Sequence, residues 1–154
     1  MMQVINEELV DLAIEADSKI AAINILADRI NQAGRLYNHT GYVESVIERE
    51  NLTTTGIGFG IAIPHGKSAH VKETTVAFGR LNQKVDWQSL DGETVNLVFL
   101  LAVPEECQGD QHLKIIAGLS RKLVHQEFRD TLAQAASNQE IVELLNDSLA
   151  GVVA

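Results

Sequence analysis

The chain has 154 residues, 45% hydrophobic and 21% charged, which suits one globular domain and excludes wholesale disorder. Its 12 Lys+Arg against 21 Asp+Glu leave a formal net charge of -9, which argues against nucleic-acid phosphates and anionic membrane surfaces as partners. Cys107 has no second cysteine to pair with, no apolar run reaches the roughly 18 residues of a membrane span, and the acidic start MMQVINEELVDLAIE lacks a secretory pattern. The expectation is a cytoplasmic protein with no direct membrane insertion.

In chain order, Glu8 to Ile14 alternates Val10, Leu12 and Ile14 with other residues, the period of a half-buried strand. Asp17 and Ser18 are N-cap types, and Ile20, Ile23, Ala27 and Ile30 follow at helical spacing up to a Gly34 stop. A second helix is predicted over Tyr42 to Glu50, with Val43, Val46 and Ile47 inward and Arg49 near its C-terminal end. The glycines at 56, 58 and 60 read as a loop. Ile61-Ala62-Ile63 is a short apolar strand whose ladder Pro64 ends, with His65-Gly66-Lys67 just past the break.

Thr74 to Leu81 is β-rich, and Leu90-Asp91-Gly92-Glu93 marks a turn. Thr94 to Val103 is almost continuously apolar, as a central strand covered on both faces would be, and Pro104 closes it. Asp110 can cap a helix over Gln111 to Val124, and Ser137 to Glu140 forms a capping box before a last helix. No repeat or linker is visible. Residues 1–154 therefore read as a single α/β domain, three layers with a mixed sheet of about four or five strands.

The glycine stretch is not a dinucleotide fingerprint: its third glycine comes one residue early, and a strand follows instead of a helix. Nor is it a Walker A loop, since Gly60 and Gly66-Lys67-Ser68 enclose five residues where that motif has four. His65, between Pro64 and Gly66 at the exit of a short strand, stands where ligand chemistry collects in open α/β sheets. A neutral imidazole there can act as nucleophile or base, and a plain surface-loop histidine fits the texture equally well.

His112 starts the apolar stripe of Ile116, Leu119 and Leu123 at a helix N-terminus, where an anion is welcome, although an ordinary helix-end histidine fits as well. His39, His70 and His125 read as surface residues, and no carboxylate or cysteine completes a metal set, so neither metal nor cofactor is expected. Acidic neighbours would raise the Cys107 thiol pKa, so it reads as unreactive.

The string Thr54-Thr55-Gly56-Ile57-Gly58-Phe59-Gly60-Ile61-Ala62-Ile63-Pro64-His65-Gly66-Lys67 resembles the enzyme IIA domain of the bacterial phosphoenolpyruvate-dependent sugar phosphotransferase system, fructose–mannitol type. The similarity extends in order through Arg49-Glu50, Leu90-Asp91-Gly92, Val98-Phe99-Leu100, Ala102-Val103-Pro104, His112-Leu113 and Leu119 to Leu123. The resemblance implies a mixed sheet between helical layers and a phosphotransferase working through a phosphohistidine. It implies that His65 accepts phosphate from the phosphocarrier protein HPr and hands it through Nε2 to a cysteine of a cognate IIB domain, and thence to the IIC transporter. His112 and Arg49 match the family's second histidine and its arginine.

Phe59 stands where the family often has a small or polar residue, and Phe59 and Ile57 are candidates for a docking patch. No IIB cysteine motif or phosphocarrier domain accompanies the chain, so its partners are expected on separate chains. Two other readings remain. One is a nitrogen-type regulatory phosphotransferase protein, whose phosphorylation state controls partner proteins. The other is a small metabolic enzyme with His65 and His112 as an acid–base pair.

Overall fold

A computed structural model describes residues 3–106 and 111–150. Cys107 and the Asp110 cap lie outside the described residues. A six-stranded mixed sheet is formed by β1 (Val10–Ile14), β2 (Gly56–Gly58), β3 (Ile61–Ala62), β4 (His65–Ser68), β5 (Thr75–Val85) and β6 (Val95–Pro104). The helices are α1 (Lys19–Gln32), α2 (His39–Leu52), α3 (Gln111–Leu123), α4 (Gln126–Gln134) and α5 (Asn138–Leu149). Among the described residues, no helix is long and apolar enough to cross a membrane.

The strand path runs β1-β5-β6-β3-β2, and β4 also pairs with β6. The long apolar run becomes β6 at the centre, with all its residues buried except half-buried Asn96. It is antiparallel to β5 and parallel to β3 and β4. The pleat assigns the helical layers. Gly79 of β5 faces Leu26 of α1, and Gly66 of β4 faces Tyr42, Ser45 and Val46 of α2. The opposite parity carries Arg80, which caps the end of α4 by donating to the carbonyls of Leu132, Ala133 and Ala135. Thus α1 and α2 cover one face and α3, α4 and α5 the other, the expected three layers.

Local chemistry sets the helix ends. The Ser18 hydroxyl accepts from the Ala21 N–H, Asn38 from Gly41 and Ser137 from Glu140. Gly34, at φ +77°, turns the chain out of α1. The Asn38 cap starts α2 at His39, one turn before the predicted Tyr42, because a good cap outweighs the weak helix formers Thr40 and Gly41. Ile20, at helical spacing with Ile23, Ala27 and Ile30, is 38% exposed at the first turn of α1 while the other three are buried. Helix α4 had no sequence expectation, and its single buried residue, Leu132, explains why no apolar stripe announces it.

Two further corrections concern the glycine stretch. It is not a loop: β2 and β3 form a hairpin whose two turn residues, Phe59 and Gly60, have φ of 59° and 78°. His65 is not past the end of the sheet but opens β4. Ile61 pairs with Leu97, Ala62 with Val98 and His65 with Leu101, so β3 and β4 keep one register along β6 across Pro64. These short segments bring the strands among the described residues to six, where about four or five were expected.

Candidate functional site

The site begins with a close approach. A Cβ on Gly66 would sit 2.5 Å from Ser45 Oγ and 3.0 Å from Val46 Cγ2, so only glycine lets α2 lie this near β4. Arg49 is one turn beyond Ser45 and lines the same cavity as His65. His65 points to the other side of the pleat, toward α3. Its ring centroid is 6.0 Å from that of His112, with the planes tilted by 38°.

The cavity measures about 650 Å³ and takes its lining from α2 (Ser45, Arg49, Leu52), the sheet (Ile63, His65, Lys67) and α3 (His112, Leu113, Ile116), with Ile57 of β2. Leu52 and Leu113 on its rim are 80% and 51% exposed. The three residues singled out from the sequence, His65, His112 and Arg49, are therefore brought together. Of the two proposed patch residues, Ile57 lines this cavity, whereas Phe59 lines a second one with Lys84, Asp91 and Asn96. His70 and His125 are exposed as expected, but His39 is partly buried and its Nε2 lies 2.8 Å from Asp28 Oδ1. Among the described residues, no group of three or more His, Cys, Asp or Glu side chains could hold a metal.

His65 Nδ1 lies 2.9 Å from the Ile63 carbonyl oxygen. A carbonyl only accepts, so Nδ1 carries the proton and Nε2 of the neutral ring keeps its lone pair. Burial pushes the His65 pKa below its ordinary 6.5, and the nearby Arg49 and His112 push it the same way, against the Ile63 hydrogen bond and Glu50. The ring is thereby held neutral at pH 7. Arg49 is itself steered by Nη1 donating to the Thr53 carbonyl at 2.8 Å.

Glu50 has a place in this arrangement that the sequence reading missed. Its side chain is 1% exposed and accepts from both the backbone N–H and the hydroxyl of Thr55. The Arg49-Glu50 pair was visible in the string, but which way an acid on a helix end points is set by the chain that returns to it. The hydrogen-bonded neutral imidazole, the guanidinium and the second imidazole make a pocket suited to a nucleophilic nitrogen and an anionic group.

The family model for the phosphoenolpyruvate-dependent sugar phosphotransferase system, EIIA 2, matches residues 3–148. The chain is 38% identical over 138 residues to a PTS system fructose-specific EIIA component of Haloferax volcanii, covering 90% of this chain and 89% of that protein. It is also 36% identical over 144 residues to the PTS system fructose-specific EIIABC component of Bacillus subtilis, but spans only 22% of that longer protein. Among solved structures, nitrogen regulatory protein IIA-Ntr from Neisseria meningitidis superposes with a TM-score of 0.84 at 32% identity, over 92% of this chain and 96% of that one. Enzyme IIA mannitol from Escherichia coli, solved in complex with phosphorylated enzyme IIB mannitol, gives 0.78 at 27% identity over 93% and 97%. The chain belongs to the EIIA 2 family of the sugar phosphotransferase system, whose members are phosphotransferases that work through a phosphohistidine.

Proposed function

We propose that His65 is the phosphoryl acceptor of this chain, taking the group from a phosphohistidine of a carrier protein of the HPr kind and passing it to a cysteine of a IIB domain. The single observation that carries this reading is the 2.9 Å contact of Nδ1 with the Ile63 carbonyl, which leaves the Nε2 lone pair for attack in a cavity shared with Arg49 and His112. That lone pair forms the new P–N bond as the bond to the donor's ring nitrogen breaks, the electron pair returning to the donor. In the second transfer a IIB thiolate attacks phosphorus, and the Nε2–P pair returns to His65. Arg49 forks onto phosphoryl oxygens, and His112 donates from the α3 side. Neither grip should exceed what the transition state needs, because a relay must release its cargo.

The cavity, at about 650 Å³, is far roomier than one phosphoryl group and leaves space for a partner's own reacting side chain. The fructose–mannitol class of sugar is supported by the names of the Haloferax volcanii relative and of the Escherichia coli complex. The reading is tested by incubation with phosphoenolpyruvate, the first phosphotransferase enzyme and the phosphocarrier, followed by intact mass and acid lability. Wild type should gain one acid-labile phosphoryl group and His65→Ala none. A label retained by the variant removes His65 from the role.

A regulatory reading is supported by the likeness to IIA-Ntr. Transfer onward to a IIB partner separates the two, since a purely regulatory protein should accept phosphate and pass none on. The acid–base enzyme reading predicts instead a bell-shaped activity on a small molecule with no phosphocarrier present.

A further inference from the structure

The carboxylate of Glu50 is in a costly place. It sits in the last turn of α2, where the helix dipole is negative, and it is almost wholly buried. Lys19 Nζ from α1, the cation paired with it, is 3.8 Å from Oε2 and is also engaged by Gln88. The hydrogen-bond polarity around it is fixed. Trp87 Nε1 donates to Thr55 Oγ1 at 3.3 Å, so the Thr55 hydroxyl sends its own proton to Glu50 Oε1. The Thr55 N–H donates to Oε2 at 2.9 Å. Two residues earlier, the Thr53 carbonyl receives the Arg49 guanidinium. One short segment is thus held by Glu50 while it steers Arg49.

We propose that Glu50 is a positioning residue for phosphoryl transfer. It holds Thr55, and with it the segment whose Thr53 carbonyl receives Arg49, and its negative charge offsets part of the positive field that Arg49 and His112 cast on His65. This rests on the relay reading above. A phosphoryl group on His65 brings negative charge into a pocket with a guanidinium and an imidazole. Unopposed, those groups stabilise the phosphohistidine along with the transition state and hold back the second transfer. A buried carboxylate on the residue next to Arg49 weakens that ground-state grip, and a neutral side chain of the same shape would not. The other charged groups facing the cavity are Glu48 of α2 and Lys67 of β4, both exposed and hence screened by solvent.

The decisive experiment is an NMR titration of His65 in the unphosphorylated protein, beside the rates of both transfers. Glu50→Gln should lower the His65 midpoint, because removing the anion disfavours imidazolium. It should also raise the phosphorylated fraction at equilibrium and slow onward transfer about tenfold in kcat with KM nearly unchanged. Thr55→Val keeps the carboxylate and should leave the midpoint in place while slowing transfer less. Should the Gln variant fail to fold, Lys19→Met carries the test with opposite sign, and the midpoint should rise.

A folded Glu50→Gln with an unmoved midpoint overturns the proposal. So does an equal shift in Thr55→Val, or a midpoint in Lys19→Met that stays or falls. If the midpoints move as expected but wild type accepts no phosphate, it is the relay reading that fails and the electrostatic coupling that stands.

Discussion

The stretches β3 and β4 lie on one line along β6, in the same register, yet they live in different surroundings. Ile61 and Ala62 are flanked by β6 on one side and β2 on the other, and both are wholly buried. The last of that second flank is the Ile63 N–H, which donates to the Thr55 carbonyl at 3.0 Å. Beyond Pro64 no second strand partner follows among the described residues, because the chain before Thr55 has turned back into α2. Among the described residues His65 to Ser68 pair with β6 alone, and the cavity opens beside the end of β2. The half-buried His65 side chain can therefore sit on a rigid strand and still reach solvent. Rigidity comes from the flank that continues, access from the flank that stops.

The comparison breaks first at the chemistry. Arg49→Ala and His112→Ala should each slow phosphoryl acceptance by roughly 100-fold with the fold intact, as read by stopped transfer assays beside circular dichroism. Rates unchanged in both would mean that the open end of the line works through His65 alone. Gly66→Ala should come next. Its methyl group would press on Ser45 and Val46, lift α2 from β4, lower stability by about 1–3 kcal/mol in thermal unfolding, and slow transfer by displacing Arg49. A variant as stable and as active as wild type would show that α2 does not need this approach.

Acidity gives a gentler probe. Because the folded pKa of His65 is lowered, the unfolded chain takes up this proton first as pH falls. The ring's contribution is complete above pH 6.5, and stability then drops as pH falls from there through the lower folded value. Acceptance of phosphate should persist below pH 6.5 and fail only once the folded ring protonates. An acid limb at or above 6.5 would contradict the burial of the ring.

The smallest effect belongs to the closed end. Phe59 has its N–H on Asp91 Oδ2 at 3.2 Å, and the Arg129 guanidinium lies 4.3 Å from its ring centre. Phe59→Ala should cost about 0.5–1 kcal/mol and leave transfer rates alone, since this side chain does not line the cavity with His65. A marked loss of transfer would make the two ends one functional unit.

Legibility followed the range of the forces involved. Ser18, Ser137 and Gly34 act on their own neighbours, so the starts of α1 and α5 and the end of α1 could be read directly. The apolar run of β6 needs burial on both faces, whatever covers it. The hairpin at Phe59-Gly60 was hidden because phenylalanine is a poor residue for positive φ; Asp91 and Arg129, distant in sequence, hold it there. Helix α4 stayed unread because one buried leucine makes no stripe.

The sequence alone determined the family, through the string from Thr54 to Lys67, and singled out His65, bracketed by Pro64 and Gly66, as a candidate without deciding it against a surface-loop histidine. Periodicity and caps also determined most of the elements. Only the tertiary structure decided that β4 extends the register of β3, that α2 and α3 bring Arg49 and His112 into one cavity with His65, and that Glu50 turns inward onto Thr55. The reason is physical. Caps and periodic burial are settled within a few residues, whereas register, helix approach and the orientation of a buried charge depend on groups far apart in the chain meeting across the sheet.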